Sequence, residues 1–584
     1  MIDYFNPFEY EAATKFTSYG QILDFYIEDH NYSRFIRSRR NIILMGERGT
    51  GKSMTLLFNS LPVQQAKAQR DGGQLSFNVL CIYVPCNTPL THKKEHQLLD
   101  QFKASVISEH LFVVPMMYEI ADTLSKIDGL MKGADEAALK REMQYVLGID
   151  LPIDPPFFEA LKQAFQRQNI EAQQAINARE IDAFYENALS FSSGVLPLLT
   201  CLRNIPLLKN AHFSLMIDDA HDLNTHQRRA LNSWIAYRDN TLFSFKVAMA
   251  KADHKDFLTS SGGTILEGHD FTLVDLERPY QNQESEFGKL ARGIVSRRLN
   301  KIGFERTPDK FFPVNPKFEE DLARCKEKVL KQANEKYPNG TKKQVNDYVY
   351  KYARAEYFRS RPSKANLPPY SGFDMLVHLS TGVIRNLLMP CYFMYDHEYS
   401  EKSLKGVAPA DIKIDEIPYS VQNKVIIDES KKKWDWIMEG LDSSVEGCSR
   451  EQAKQVYQLF DKLAQLFKQR LLHHNSEPRA ITFTISEPDF EHYEELLYLL
   501  KIARKAQLLY THSSSAKDYG GRETYYVPNR MLWPWRGLDP HGQHARVSLR
   551  ATHLWAAASG NITIPFSPDD EPDGAHPLQG RLSL

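Results

Sequence analysis

The feature that most constrains this chain is Asn41-Ile-Ile-Leu-Met45, an apolar run of strand type that leads without a break into Gly46-Glu-Arg-Gly-Thr-Gly-Lys-Ser53. A helical stretch, Met54 to Leu61, follows before Pro62. The segment fits GxxxxGK[ST] at every fixed position, and strand, loop and helix come in the order that pattern needs. Glycines let backbone N–H groups curl around a phosphate, and the helix behind them points its positive end at it. The loop therefore reads as a cradle for ATP built from Gly46, Glu47, Arg48, Gly49, Thr50, Gly51, Lys52, Ser53 and Met54. Lys52 would reach the β- and γ-phosphates, and Ser53 would ligate Mg²⁺.

A phosphate loop of this kind needs an acid at the end of a neighbouring buried strand. His212-Phe-Ser-Leu-Met-Ile217, followed by Asp218-Asp219, supplies it. Asp218 is placed to hold Mg²⁺ through water, and Asp219 to orient or deprotonate the attacking water. Glu is the more usual occupant of the second position; the shorter Asp predicts slow hydrolysis. Further strands are expected at Leu80 to Val84, Phe243 to Ala250 and Phe271 to Val274, with helices between them. That alternation implies an α/β fold, a parallel sheet flanked by helices.

Composition excludes several classes. Lys and Arg number 72 against 73 Asp and Glu, a formal net charge of −1, so no global basic field advertises nucleic acid and any such contact must be a local patch. The six cysteines, Cys81, Cys86, Cys201, Cys325, Cys391 and Cys448, include no CxxC pair and suggest neither a disulfide framework nor a thiolate zinc site. Asp3, Glu9 and Glu11 stand where a signal peptide would be basic and apolar, and Pro115 interrupts the richest apolar run, Leu111 to Met117. The expectation is a cytoplasmic protein with reduced thiols and no membrane span.

Two local features narrow the superfamily. Ser380-Thr-Gly382-Val-Ile-Arg385-Asn-Leu-Leu388 has the STG-x-x-R-x-L-L shape of a second sensor helix, and Asn6-Pro-Phe8 precedes a helical lead-in to the phosphate loop. With the phosphate loop and the Asp-Asp strand end, the chain resembles the replication-initiator, or origin-recognition, branch of AAA+ ATPases, and most of all its bacterial relatives bordering on the STAND signalling ATPases. The resemblance implies a helical lid in which Arg385 meets the γ-phosphate, Mg²⁺-ATP as cofactor, homo-oligomers, and a setting in antiviral defence or mobile elements. Its first sensor position, normally Asn or Thr, falls in Ala250-Lys251-Ala252-Asp253, which leaves Lys251 for that role. No arginine occurs between Arg238 and Arg278, the stretch expected to supply an arginine finger. A switch is thereby favoured over a processive motor.

The domain reading is a lead-in over 1–40, an ATPase core over 41–278 with a helical insertion at about 104–205, and a lid over 279–402 with an insertion at about 305–369. A linker over 403–450, a winged helix over 451–537 and a tail over 538–584, expected from about Ser559 to be mobile or to bind as an extended segment, complete it. The winged helix rests on Val456, Leu459, Phe460, Leu463, Phe467 and Leu471 at helical spacing, the alternating Ile481 to Ile485, a helix from about Asp489 to Lys505, and a hairpin of Leu508 to Thr511 with Thr524 to Val527. Lys501, Arg504 and Lys505 end that helix, and Lys517 and Arg522 sit in the wing, so duplex DNA is a candidate partner. Glu491, Glu494 and Glu495 dilute the field. The charged helix Phe318 to Glu335 and the segment Tyr348 to Arg361 read as a solvated face or a partner surface. His92 with His96, His473-His474, and His541 with His544 lack a third ligand in sequence. Two functions remain: an ATP-driven conformational or assembly switch on DNA, or a STAND-like scaffold that activates a separate effector protein.

Overall fold

The computed structural model describes all residues except 1–4, 10–12, 29–31, 87–99, 153, 179–186, 238–240, 253–255, 277–284, 362–368, 474–479, 516–521, 543–545 and 567–584. The chain divides into two compact units, residues 11–276 and residues 1–10 with 277–584. Among the described residues, no helix is long and apolar enough to cross a membrane.

The first unit is built on five parallel strands: β1 (Ile42–Met45), β2 (Val79–Pro85), β3 (His212–Asp218), β4 (Phe243–Met249) and β5 (Thr272–Asp275). Their order is β2-β3-β4-β1-β5. Ile43 pairs with Val247 on one side and Leu273 on the other, which makes the short β1 central. Every residue of β1, β3 and β4 is buried, as expected for parallel strands covered on both faces. Helix α1 (Lys52–Asn59) follows the phosphate loop. The expected insertion folds as α2 (Gln101–Ser125), α3 (Glu136–Leu147), α4 (Phe157–Ala178) and α5 (Leu196–Leu202). It is no separate appendage: Phe112, Val113, Met117, Phe165 and Leu199 share one apolar core with Ile82, Phe213 and Phe245 of the sheet. Phe191 stacks on Trp234 of α6 (Thr225–Ile235), with ring centroids 4.7 Å apart.

The second unit holds α7 (Glu286–Asn300), the hairpin α8 (Pro316–Lys336) and α9 (Lys342–Ser360), then α10 (Phe373–Leu379) and α11 (Ile384–Leu404). Asn6-Pro-Phe8, read from sequence as part of the lead-in, belongs to this unit. Asn6 Nδ2 donates to Tyr392 O at 3.0 Å, buried Arg298 donates to the carbonyls of Pro7 and Glu9 at 2.8 and 2.7 Å, and the Phe8 ring packs on Phe311, Phe312 and Tyr395. Two further stretches differ from the sequence reading. The region taken as a linker contains a 21-residue helix, α12 (Tyr419–Glu439), whose Trp434 is buried and donates to Leu532 O at 2.8 Å. The region taken as a tail contains β9 (Arg546–Arg550) and α15 (Ala551–Gly560).

Helix α13 (Arg450–Leu472), β6 (Thr482–Ser486), α14 (Tyr493–Lys505) and the hairpin β7 (Leu509–Ser515) with β8 (Arg522–Pro528) follow the helix, strand, helix and hairpin order of a winged helix. The unforeseen β9 adds parallel to β6, giving the sheet order β7-β8-β6-β9. The sequence signal for β9 was weak because it is short and only Val547 and Leu549 face inward.

The base of the α8–α9 hairpin is fixed to this C-terminal module by Arg354, which forks onto Asp539 at 2.7 and 2.9 Å. Burial alone would raise the Asp539 pKa, but Arg354 and then His541 outweigh it and hold the carboxyl well below its usual range. Stability from this pair is thus present above the ordinary Asp pKa of about 4 and is lost as pH falls through the depressed value. Arg354→Ala leaves a buried carboxylate without its main partner and should destabilise the protein by up to about 3 kcal/mol near neutral pH. Urea unfolding at several pH values should show that the difference from wild type narrows in acid, where protonation removes the stranded charge.

Candidate functional site

The phosphate loop closes as a compact turn. Gly49 and Gly51 lie at φ 88° and 96°, left-handed conformations in which a Cβ would be strained, and Gly51 is the N-cap of α1. A Cβ on Gly46 would stand 2.8 Å from Thr50 Oγ1 and 3.2 Å from Leu276 Cβ, so the loop's first position also requires glycine. Thr50 Oγ1 donates to Glu47 O at 2.8 Å. Lys52 is buried, and its Nζ donates to the carbonyls of Gly46 at 2.6 Å and Glu47 at 3.0 Å. The ammonium thus already sits over the loop's own backbone, where phosphate oxygens offer a stronger acceptor. Arg48 and Met54 are less enclosed; the Arg48 guanidinium lies 3.4 Å from His221 Nε2.

Asp218 ends β3 almost completely buried. Its carboxylate accepts from Tyr83 Oη at 2.7 Å, from the Asp219 backbone N–H at 3.0 Å, and from the Ser53 hydroxyl. Burial first, and the neighbouring Asp219 charge second, push the Asp218 carboxyl up, against those three donors. Asp219 itself is held at φ 54°, ψ 38°, a left-handed conformation uncommon for a residue other than glycine. The turn lets two successive residues project differently at the strand end. Ser53 and Asp218 already in contact, with the acid penalised by desolvation, make a donor pair suited to a hard cation such as Mg²⁺. These two would hold the ion, Lys52 would hold the phosphates, and the ion would supply charge neutralisation at the phosphate oxygens.

Other expected residues fall as follows. Lys251 is engaged by the Asp275 carboxylate at the end of β5, 2.9 Å away. The next residue contributes more directly to the loop: the Ala252 backbone N–H donates to Glu47 Oε1 at 2.8 Å, and Glu47 is buried. Arg385 lies in the other unit, in the first turn of α11. Arg238, Arg278, His92, His96, His474, Lys517 and His544 lie outside the described residues, as does the Arg522 side chain.

Sequence reasoning missed Tyr83, the buried Glu47–Ala252 link and the partners of His541. Tyr83 was signalled only by a hydroxyl in an otherwise apolar strand; the other two depend on contacts distant in sequence. His541 meets Asp374 and His378 of α10, and the three offer ligand atoms within 4.8 Å of one another. These side chains are already engaged in a hydrogen-bond network: His541 Nδ1 is 2.8 Å from Asp539, its Nε2 is 3.2 Å from Asp374, and Arg530 Nη1 is 3.2 Å from His378 Nδ1. A metal ion would have to enter beside the guanidinium groups of Arg354 and Arg530.

A family model described as ORC-CDC6-like matches residues 6–337 and 311–549. No curated protein matches. Among solved structures, the chain is similar to the Orc1 protein of Aeropyrum pernix in complex with DNA at 11% identity and TM-score 0.28, covering 87% of this chain and 91% of that one. It is also similar to Cdc6p from Pyrobaculum aerophilum, at 11% identity and TM-score 0.27, covering 95% and 97%.

Asp218→Asn removes the buried charge while retaining a hydrogen-bonding side chain. The apo melting midpoint should rise by about 2 °C, and the further rise given to wild type by ATP with Mg²⁺ over ATP with EDTA should disappear. Thermal melts of both proteins without nucleotide, with ATP and Mg²⁺, and with ATP and EDTA check both parts. Lys52→Ala should lose the nucleotide-dependent shift altogether.

Proposed function

The chain belongs to the ORC-CDC6-like family of origin-recognition-type AAA+ ATPases, and on that premise we propose that it is a nucleotide-driven conformational and assembly switch that acts on DNA. The observation that carries the reading is the pairing of a closed phosphate loop with the buried Ser53–Asp218–Tyr83 cluster at the end of β3. In this reading Lys52 binds the β- and γ-phosphates, Ser53 and Asp218 hold Mg²⁺, Asp219 orients the attacking water, and Arg385 senses the γ-phosphate from the lid. ATP closes the lid or assembles protomers, and hydrolysis releases the partner. Duplex DNA is the proposed partner of the C-terminal module, where Lys501 is exposed and Arg504 and Lys505 half-buried at the end of α14.

A second reading is favoured by Asp219, whose side chain is shorter than the usual Glu, and by the absence of arginine from residues 239–277. Both suit slow hydrolysis that times a STAND-like assembly around a separate effector. Stimulation of ATPase turnover by duplex DNA supports the first reading; turnover that ignores DNA while ATP still drives assembly supports the second.

A ligand shifts an equilibrium only through contacts that differ between states, and the γ-phosphate is the difference between ATP and ADP. Arg385→Ala should therefore leave ADP affinity within about twofold of wild type and weaken ATP affinity by roughly tenfold, the usual size of one charge-assisted contact. Isothermal titration with both nucleotides tests this; equal losses for ATP and ADP would remove Arg385 from the site. Asp219→Asn should bind ATP normally and turn it over at least 100-fold more slowly, on the order expected for loss of a general base.

A further inference from the structure

The α8–α9 hairpin gathers charge that the chain as a whole lacks. Pro316 to Arg361 holds twelve Lys and Arg against seven Asp and Glu, in a protein whose formal net charge is −1, so the rest of the chain is acidic. The surplus lies toward the tip. From Leu330 to Lys351, five lysines (Lys331, Lys336, Lys342, Lys343 and Lys351) face two acids, Glu335 and Asp347. Lys331, Lys336, Lys342 and Lys343 are all exposed, and the only buried residue in this distal stretch is Ala333. Tyrosines are interleaved with the lysines: Lys336 Nζ lies 5.3 Å from the Tyr348 ring centroid and 5.8 Å from that of Tyr337, and Tyr350 is 62% exposed.

The root of the hairpin is the opposite in character. Phe318, Cys325, Ala355, Tyr357 and Phe358 belong to the same apolar core as α13 and β6. Arg354 is clamped on Asp539, and Arg359 donates to the carbonyls of Leu471 and His473 at 3.1 and 2.6 Å. Arg354 and Arg359 thus anchor the root, while Lys331, Lys336, Lys342 and Lys343 nearer the tip are exposed. A pair of helices about 30 Å long, rooted in the C-terminal module and basic at its free end, has a fixed geometry for a partner. By contrast, the first half of α14, which in a winged helix would approach base edges, exposes Glu494 and Glu495.

We propose that the tip of the α8–α9 hairpin is a nucleic-acid contact, in which Lys331, Lys336, Lys342 and Lys343 bind the phosphodiester backbone. Compact ammonium groups on flexible stems neutralise phosphates without reading bases. The hairpin is then a sequence-independent clamp, and most of the affinity of the protein for DNA comes from it. The inference rests on the DNA-associated reading above and assigns the contact to an element outside the winged helix.

Fluorescence anisotropy with the full-length chain tests it, using a labelled 30-base-pair duplex and a single strand of equal length across a salt series. Compared with wild type, K336Q/K342Q/K343Q should bind the duplex at least tenfold more weakly at 100 mM salt, and the log–log salt slope should flatten by roughly 2–3, about 0.9 for each phosphate no longer neutralised. Its melting midpoint should be unchanged because the three side chains are exposed. K336R/K342R/K343R should retain affinity, and K501Q should cost less than the hairpin variant. Weakening restricted to the single strand would assign the contact to single-stranded nucleic acid, stacked on Tyr350. A hairpin variant indistinguishable from wild type, with wild type binding DNA, would overturn this inference alone. Wild type that fails to bind either nucleic acid at 50 mM salt would overturn it together with the DNA-associated reading.

Discussion

The first unit depends on one buried carboxylate. Asp218 sits at the end of a strand whose seven residues are all buried, and burial disfavours its charged form. What makes that tolerable is a set of donors drawn from three places: the Tyr83 hydroxyl on β2, the Ser53 hydroxyl on α1 and the backbone N–H of the strained Asp219. The first two hold β2 and α1 against β3, and the third closes the turn that leaves the strand. The sheet order serves the same contact: β2 lies next to β3 in parallel register and Tyr83 pairs with Met216, two residues before Asp218. The site is therefore held slightly too negative and too dry by the fold itself, which is the condition under which a divalent cation gains most by entering.

A second link ties the loop to the end of the neighbouring strand β4. Glu47 is a charged side chain inside the phosphate loop, yet it is buried and spent on the Ala252 N–H just beyond β4. Just beyond β4 the loop acid is met by a backbone donor. Lys251, engaged by Asp275, joins the ends of β4 and β5 at the same level. Movement of the loop and movement of the β4 end are consequently coupled, through the Glu47–Ala252 hydrogen bond and through the Gly46 N–H, which donates to Met249 O at 3.4 Å.

Legibility in the sequence followed contiguity. The phosphate loop, the Asp-Asp strand end and the five strands could be read because spacing of neighbours along the chain specifies them: glycines at fixed offsets, and unbroken apolar runs for strands buried on both faces. Tyr83, Glu47–Ala252 and the His541 network could not, since each is a pairing of residues far apart in sequence and none disturbs the local pattern. Asn6-Pro-Phe8 shows the same limit from the other side. The motif was visible, but its place was not, because Arg298 and the Phe311–Phe312 pair that receive it lie about 300 residues downstream. In the C-terminal region the Pro-, Asp- and Gly-containing stretch after Ser559 led the whole segment to be read as tail, although β9 and α15 hold no proline and are buried against α13 and β6.

The Ser380-Thr-Gly382 turn before Arg385 gives α11 mechanical consequences. Thr381 is itself left-handed, at φ 54°, and its Oγ1 accepts from the backbone N–H of Arg530 at 3.0 Å. Asn386, one residue beyond Arg385, donates to Tyr510 Oη on β7 at 2.9 Å, and Val383 packs with Tyr510 and Val527 in a small apolar cluster. Arg385 thus stands between two residues bolted to the C-terminal module, one by a turn hydrogen bond and one by a side-chain hydrogen bond, both buried. A helix attached this way cannot rotate without either breaking those contacts or carrying the module with it. Breaking them would strand buried polar groups at about 1–3 kcal/mol each, so the lower-energy course is for α11 and the module to move as a body. Any force applied to Arg385 is in that case delivered to the C-terminal sheet, and through Arg354 and Asp539 to the root of the α8–α9 hairpin as well.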